Sequence, residues 1–285
     1  MTPARPRRSA LYMPAGNPRA IEKARSLACD VVILDLEDSV APDAKPAARD
    51  LAVAAVAEGG FGRREVVVRV NGLDTPWGEA DLAAVAAGAV QPDAVLAPKV
   101  STSEDVAAYA GRLTPGVALW IMVETCASLF TLDALASAGG PLAALVVGSN
   151  DLVKEMRCRV DAERRPLQAA LSLTVAAGRA RGLTVLDGVW NDIADLDGLE
   201  RQCRQGIEFG FDGKTLIHPD QIAAANRAFA PEPEEVAWAR TVAAAFDSPE
   251  NRGKGVLRVD GRMVERLHLD QALRLLEIAA ALEEA

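Results

Sequence analysis

Residues 31–40 read VVILDLEDSV. A continuous apolar run, without alternation of polar and apolar residues, predicts a strand over 30–37 that is buried on both faces. It ends in Asp35, Glu37 and Asp38, three carboxylates within four positions. Runs of the same kind recur along the chain, near 9–14, 65–71, 93–100, 117–125, 142–149, 183–189 and 213–219. Ala-rich amphipathic stretches lie between them, at 45–58, 79–88, 103–111, 164–181 and 220–229. Apolar strands that alternate with helices indicate a parallel sheet covered on both faces. Eight such units predict a (β/α)8 TIM barrel over residues 1–230. A doubly wound open sheet is the alternative, and it is weakened by the lack of a GxGxxG after the first strand. Residues 231–285 are expected to form a C-terminal helix–loop–helix extension that packs on the barrel or on a neighbouring subunit. Within it, 248–265 reads as a loop or lid.

Composition narrows the function classes. The 285 residues are 50% hydrophobic and carry a formal net charge of −9, which disfavours nucleic acid and anionic membrane surfaces as partners. No apolar run reaches the ~18 residues of a membrane span. Cys29, Cys126, Cys158 and Cys203 form no CxxC pair, which fits a reducing cytoplasm better than a disulfide framework or a zinc ribbon. Two histidines, His218 and His268, leave little for His-ligated metals, so a bound metal is expected to take oxygen ligands.

A TIM barrel places its chemistry at the C-terminal ends of its strands. Those ends carry Glu37 and Asp38, Arg69 and Asn71, Lys99, Glu124 and Thr125, Asn150 and Asp151, Asp187, and His218. For any one of them the alternative is a helix cap, a turn or a structural ion pair. Asp38 has that alternative as a cap and Glu37 as a partner of Arg69 or Lys99. Lys99, Asp187 and His218 have it as ion-pair or turn residues. Glu124 and Asp151 stand apart, because each directly follows a strongly apolar strand and the two strands are neighbours. Two carboxylates so placed can share one hard cation, with waters and substrate oxygens completing its shell. Near the N-terminus, Arg19 and Lys23 fall at i and i+4 on a predicted helix and face one way, as a site for phosphates. Arg5 to Arg8 read as a partly frayed basic tail.

An ordered set of motifs carries a resemblance. RSALYMPAGN, DVVILDLEDSVAPDAKPAAR, VVVRVNGLDTPWGEADL, APKV, IMVET, VVGSNDL and GFDGKTLIHPDQI, followed by GKG and DGRMVE, run through nearly the whole chain. In this the chain resembles the citrate lyase β-subunit-like family of the HpcH/HpaI aldolase superfamily, which includes malyl-CoA, citramalyl-CoA and citryl-CoA lyases and malyl-CoA thioesterases. The resemblance implies a trimeric or hexameric TIM barrel that uses Mg²⁺, with Mn²⁺ as a possible substitute, and acyl-CoA substrates. It implies Glu124 and Asp151 as metal ligands, with Glu124 also at the substrate, and Arg69 as the catalytic cation for a carboxylate or enolate oxygen. It implies Tyr12, Arg19 and Lys23 as contacts to the CoA substrate, and Glu37 and Asp38 as supports that order Arg69 or metal-bound waters. The family's acid/base is an aspartate lent by a neighbouring subunit. The matching position here is Glu265, one methylene longer.

The expected activity is therefore a Mg²⁺-dependent carbon–carbon lyase, cleaving a malyl-CoA or citramalyl-CoA type 3-hydroxyacyl-CoA to an acyl-CoA and a 2-oxo acid. The alternatives are a malyl-CoA-type thioesterase and a citryl-thioester lyase subunit working with an acyl carrier protein. A CoA-independent 2-oxo acid aldolase is disfavoured by Arg19 and Lys23.

Overall fold

The computed structural model describes residues 5–283. Eight parallel strands close into a barrel in chain order: β1 (Ser9–Pro14), β2 (Val31–Asp35), β3 (Glu65–Arg69), β4 (Ala94–Ala97), β5 (Ala118–Val123), β6 (Leu142–Val147), β7 (Thr184–Asp187) and β8 (Gly213–Leu216). The last strand pairs back onto the first, Ser9 opposite Lys214. Around them lie α1 (Pro18–Ala24), α2 (Lys45–Glu58), α3 (Gly78–Ala87), α4 (Ser103–Ala110), α5 (Cys126–Phe130), α6 (Leu132–Ala136), α7 (Ser149–Met156), α8 (Gln168–Ala180), α9 (Leu196–Phe209) and α10 (Ile222–Ala228). The (β/α)8 expectation holds. β1 ends with its apolar run at Pro14, and the other seven strands stop two to three residues before theirs, because the residues beyond them turn onto the rim. The predicted helix at 164–181 is shorter too. Arg164 sits in the left-handed region at φ 48° and a 3-10 turn over Arg165–Leu167, with Pro166 inside it, precedes α8.

Two apolar layers hold the barrel. Ala10, Ile33, Val67, Leu96, Trp120, Met122, Val146 and Leu186 fill its interior. The alternate strand residues, among them Leu34, Val68, Ile121 and Leu145, face the helices with Ala48, Leu82 and Leu171. Such strands are apolar on both faces because both faces are dry.

The reading of Arg5 to Arg8 as a frayed tail is corrected for two of its members. Arg7 donates to both Glu65 oxygens at 2.6 and 2.8 Å and to the Thr184 hydroxyl at 2.6 Å, and its guanidinium lies 5.0 Å from the Trp120 ring centroid. Arg8 forms a two-bond pair with Asp30. Glu65 and Thr184 begin their strands, so Arg7 sits at the N-terminal end of the barrel. The chain passes so close there that a side chain at Gly213 would strike the Arg7 carbonyl, at 1.9 Å. Arg7→Ala leaves Glu65 buried without its partner, which costs about 3 kcal/mol. The apparent Tm is expected to fall by several degrees in a circular-dichroism melt, at roughly 2–4 °C per kcal/mol. An unchanged Tm would remove this role.

The described chain divides into two compact units, one of residues 7–229 and one gathering residues 5–6 and those from Ala230 onward. In the second, α11 (Pro233–Asp247), a hairpin of β9 (Val256–Val259) and β10 (Arg262–Glu265), and α12 (Arg266–Glu283) share a small core. Phe246, Leu257, Val259, Val264 and Ala272 are buried in it. The expected loop or lid at 248–265 is thus largely a β-hairpin. Its turn is Asp260–Gly261, both at positive φ, 47° and 80°. Asp-Gly between alternating residues is a strong hairpin signal.

Candidate active site

The C-terminal rim is built from inward-facing residues at the strand ends. Asp35 is the last residue of β2 and continues the inward parity of Val31 and Ile33. Arg69 ends β3 on the parity of Val67, and Glu124 follows β5 on the parity of Trp120 and Met122. Arg69 forks onto Asp35, with Nε to Oδ1 and Nη2 to Oδ2, both at 2.7 Å. The second Asp35 bonds come from its own loop, the Glu37 N–H at 2.9 Å and the Ser39 N–H at 3.1 Å. Lys45, at the start of α2, clamps the same loop by donating to the Leu36 and Glu37 carbonyls at 2.9 and 2.8 Å. The carboxylate knot that ends the apolar strand is therefore a cradle for one buried arginine.

The outer edge of that arginine is shared. Its Nη1 lies 2.8 Å from a Glu37 oxygen as an ion pair off the N–H direction, and donates to Asp38 at 3.3 Å. Glu37 and Asp38 thus both contact Arg69. Asp35, which the sequence reading did not single out as a site residue, makes the closer pair. The Tyr12 ring lies under the guanidinium, 4.7 Å from centroid to carbon, and its hydroxyl donates to Met122 Sδ at 3.5 Å. Tyr12 is inside the barrel, below the rim.

Burial sets the protonation of these groups. Burial works to raise the Asp35 carboxyl, but the Arg69 charge and the bonds from Arg69, Ser39 and Glu37 hold it below the ordinary range. Glu37 has fewer bonds, so burial wins against Arg69, with help from the Glu124 and Asp38 charges, and its carboxyl is pushed up to about 8. Burial likewise raises the Tyr12 phenol. Arg69 itself stays charged, because Asp35 outweighs the cost of burial.

Glu124 and Asp151 are joined through Lys99. The Lys99 ammonium is 2.8 Å from Asp151 Oδ2 and 3.3 Å from Glu124 Oε1, and the Lys99 backbone N–H donates to the same Glu124 oxygen at 2.8 Å. Lys99 achieves both contacts from a left-handed backbone, φ 56°. The other Glu124 oxygen, Oε2, is buried without a hydrogen-bond partner. A Cβ at Gly148 would come within 2.5 Å of that oxygen, so the glycine of VVGSND keeps the space beside it open. A buried orphan carboxylate oxygen, an open flank and a cation already bridging both carboxylates fit a hard divalent ion. Among the described residues no group of three or more His, Cys, Asp or Glu is placed to hold a metal ion, so water or substrate oxygens would complete the shell.

Several rim residues are structural. Asp187 ends β7 on the outward parity, following inward Leu186, and is buried between Arg164 at 2.6 Å and Lys214 at 2.9 Å. Asn71 donates twice to Asp81, which Arg49 also holds. His218 caps a 3-10 turn, its Nδ1 accepting from the Asp220 N–H. Asn150 pairs with Asn191 amide to amide. Arg19 and Lys23 lie exposed on α1, which follows the rim end of β1. Glu265 ends β10 in the other unit, its N–H donating to His268 Nδ1 at 2.9 Å. It is opposite Val256 in the hairpin, on the same face as Met263, and both of those apolar side chains are exposed.

A closed parallel barrel with an acidic pair and a cradled arginine at its C-terminal rim defines a (β/α)8-barrel enzyme. The chain belongs to the HpcH/HpaI aldolase/citrate lyase family, whose model matches residues 8–219. It is 47% identical over 280 residues to a (3S)-malyl-CoA thioesterase of Cereibacter sphaeroides, covering 98% of this chain and 96% of the relative. It is 33% identical over 298 residues to an L-malyl-CoA/β-methylmalyl-CoA lyase of the same species, covering 95% and 93%. Among solved structures it is similar to the protein CitE of Mycobacterium tuberculosis in complex with magnesium, acetoacetate and coenzyme A. That match has a TM-score of 0.77 and 32% identity, covering 95% of this chain and 97% of the other. No described helix is long and apolar enough to cross a membrane.

Proposed function

We propose that this chain hydrolyses a malyl-CoA-type thioester, a 3-hydroxyacyl-CoA whose hydroxyl carbon carries a carboxylate, to the free acid and CoA. The observation that carries this reading is the 47% identity to a malyl-CoA thioesterase along nearly the whole chain, against 33% for the malyl-CoA lyase. The sequence reading put carbon–carbon cleavage first and hydrolysis second; the higher identity to the thioesterase supports placing hydrolysis first.

The rim chemistry suits either outcome. In both reactions negative charge develops on the thioester oxygen, as an enolate in cleavage and as a tetrahedral oxyanion in hydrolysis. Arg69 is the charged donor for that oxygen, since Asp35 fixes its inner edge and leaves Nη1 toward the rim. Tyr12 keeps the guanidinium in plane from below. Asp38, 67% exposed, gives up Nη1 when substrate arrives. Mg²⁺ held by Glu124 and Asp151 would supply Lewis-acid charge to the substrate's hydroxyl and carboxylate oxygens. Arg19 and Lys23 meet the phosphates of CoA. Glu265 takes the proton of the attacking water, presented to a neighbouring copy by the exposed hairpin face. Carbon–carbon cleavage remains the second reading, supported by the lyase relative and by the same Arg69 geometry.

The test is a Mg²⁺-supplemented assay on malyl-, citramalyl-, β-methylmalyl- and citryl-CoA that follows free thiol and 2-oxo acid together. Thiol release without 2-oxo acid is the expected result, with Glu265→Gln slowed by about 10²-fold. A 2-oxo acid without thiol would replace hydrolysis by the lyase reading. Silence on all four esters would point to a carrier-protein thioester.

A further inference from the structure

Lys99 sits where the metal reading needs a divalent cation, and that coincidence has consequences. Glu124 is only 1% exposed, and a buried carboxylate beside a second one is costly without a counter-charge. Lys99 supplies that charge from between the two, at 3.3 and 2.8 Å. Its backbone is held in the left-handed region, which a long side chain adopts only when its surroundings dictate it. The result is that one residue points both an N–H and an ammonium at Glu124. The N–H bond belongs to the backbone and survives any side chain. The ammonium ends a flexible stem that is 36% exposed, so it can swing away.

We propose that Lys99 is a built-in counter-cation of the rim, which neutralises Glu124 and Asp151 until a divalent ion takes their charge and which sets the affinity for that ion by competing with it. This rests on the reading of Glu124 and Asp151 as metal ligands. An ammonium within 3.3 Å of both carboxylates and a divalent cation held by the same two carboxylates repel each other strongly at that range. Binding of the ion therefore includes the displacement of Lys99. Lys99 acts here as a positioning residue through the two carboxylates. A merely structural lysine would lower both stability and metal affinity when removed. A competing one lowers the stability of the metal-free chain and raises metal affinity, so the two effects have opposite signs.

The experiment is calorimetric titration of Mg²⁺ into full-length, chelator-stripped protein, paired with thermal melts with and without Mg²⁺. Lys99→Met keeps the stem and removes the charge. Lys99→Asn suits the left-handed backbone and covers poor folding of the first variant. Both are expected to bind Mg²⁺ several-fold to about tenfold more tightly than the parent and to show a larger Mg²⁺-induced rise in Tm. Their metal-free Tm is expected to be lower. Unchanged or weaker binding in a folded variant, with the parent binding normally, would overturn the inference and leave the metal reading standing. No binding by parent and variants alike would overturn the metal reading, and this inference with it.

Discussion

Arg69→Met is expected to abolish most of the activity and to destabilise the barrel at the same time. In the proposed reaction the guanidinium is the charged donor for the oxygen that becomes negative, and loss of one such donor costs about 10²–10³ in turnover. The second effect comes from Asp35. Its carboxylate is 1% exposed and receives both inner bonds of the arginine. Methionine leaves that charge buried and unpaired, at about 3–5 kcal/mol. A melt and a thiol-release assay on the same preparation read both. A folded variant that keeps parental turnover would remove Arg69 from the chemistry, whatever happens to its Tm.

Glu124→Gln is expected to separate metal binding from folding. Glutamine has nearly the same shape and can still accept the Lys99 N–H. Burial already pushes the Glu124 carboxyl up, against the pull of Lys99, so loss of its charge relieves a cost. The fold is expected to persist while Mg²⁺ no longer raises the Tm. Turnover should fall by about 10³, the equivalent of roughly 4 kcal/mol of transition-state charge stabilisation. Native Mg²⁺ affinity in this variant would show that Glu124 is not a ligand.

The two acidic strand ends show how far the sequence could be read. Asp35 and Asp187 each close a parallel strand, and each follows an apolar run. Asp35 turns inward to hold Arg69, whereas Asp187 turns outward to hold Arg164 and Lys214. Alternation would tell the two faces apart in a half-exposed strand. Strands apolar on both faces have no such alternation, so the sequence does not say which way their last residue points. Arg7 presents the same difficulty. Nothing local to a basic N-terminal stretch distinguishes a solvated tail from a residue that meets Glu65, 58 positions away. The hairpin at 256–265 is different, because Val-Asp-Gly-Arg was a readable turn signal that a loop assignment passed over.

Local chemistry determined much of this protein. Eight apolar runs separated by helical stretches specify the strands and their order, and the motifs at their ends identify the family and the acidic pair Glu124 and Asp151. Barrel closure decided the rest. It chose which side chains face the rim and brought Asp35 under Arg69. It also forced Lys99 into a left-handed turn between two carboxylates that lie 25 and 52 positions further along the chain. Those choices depend on strand parity and on contacts between distant segments, and both exist only once the barrel has closed.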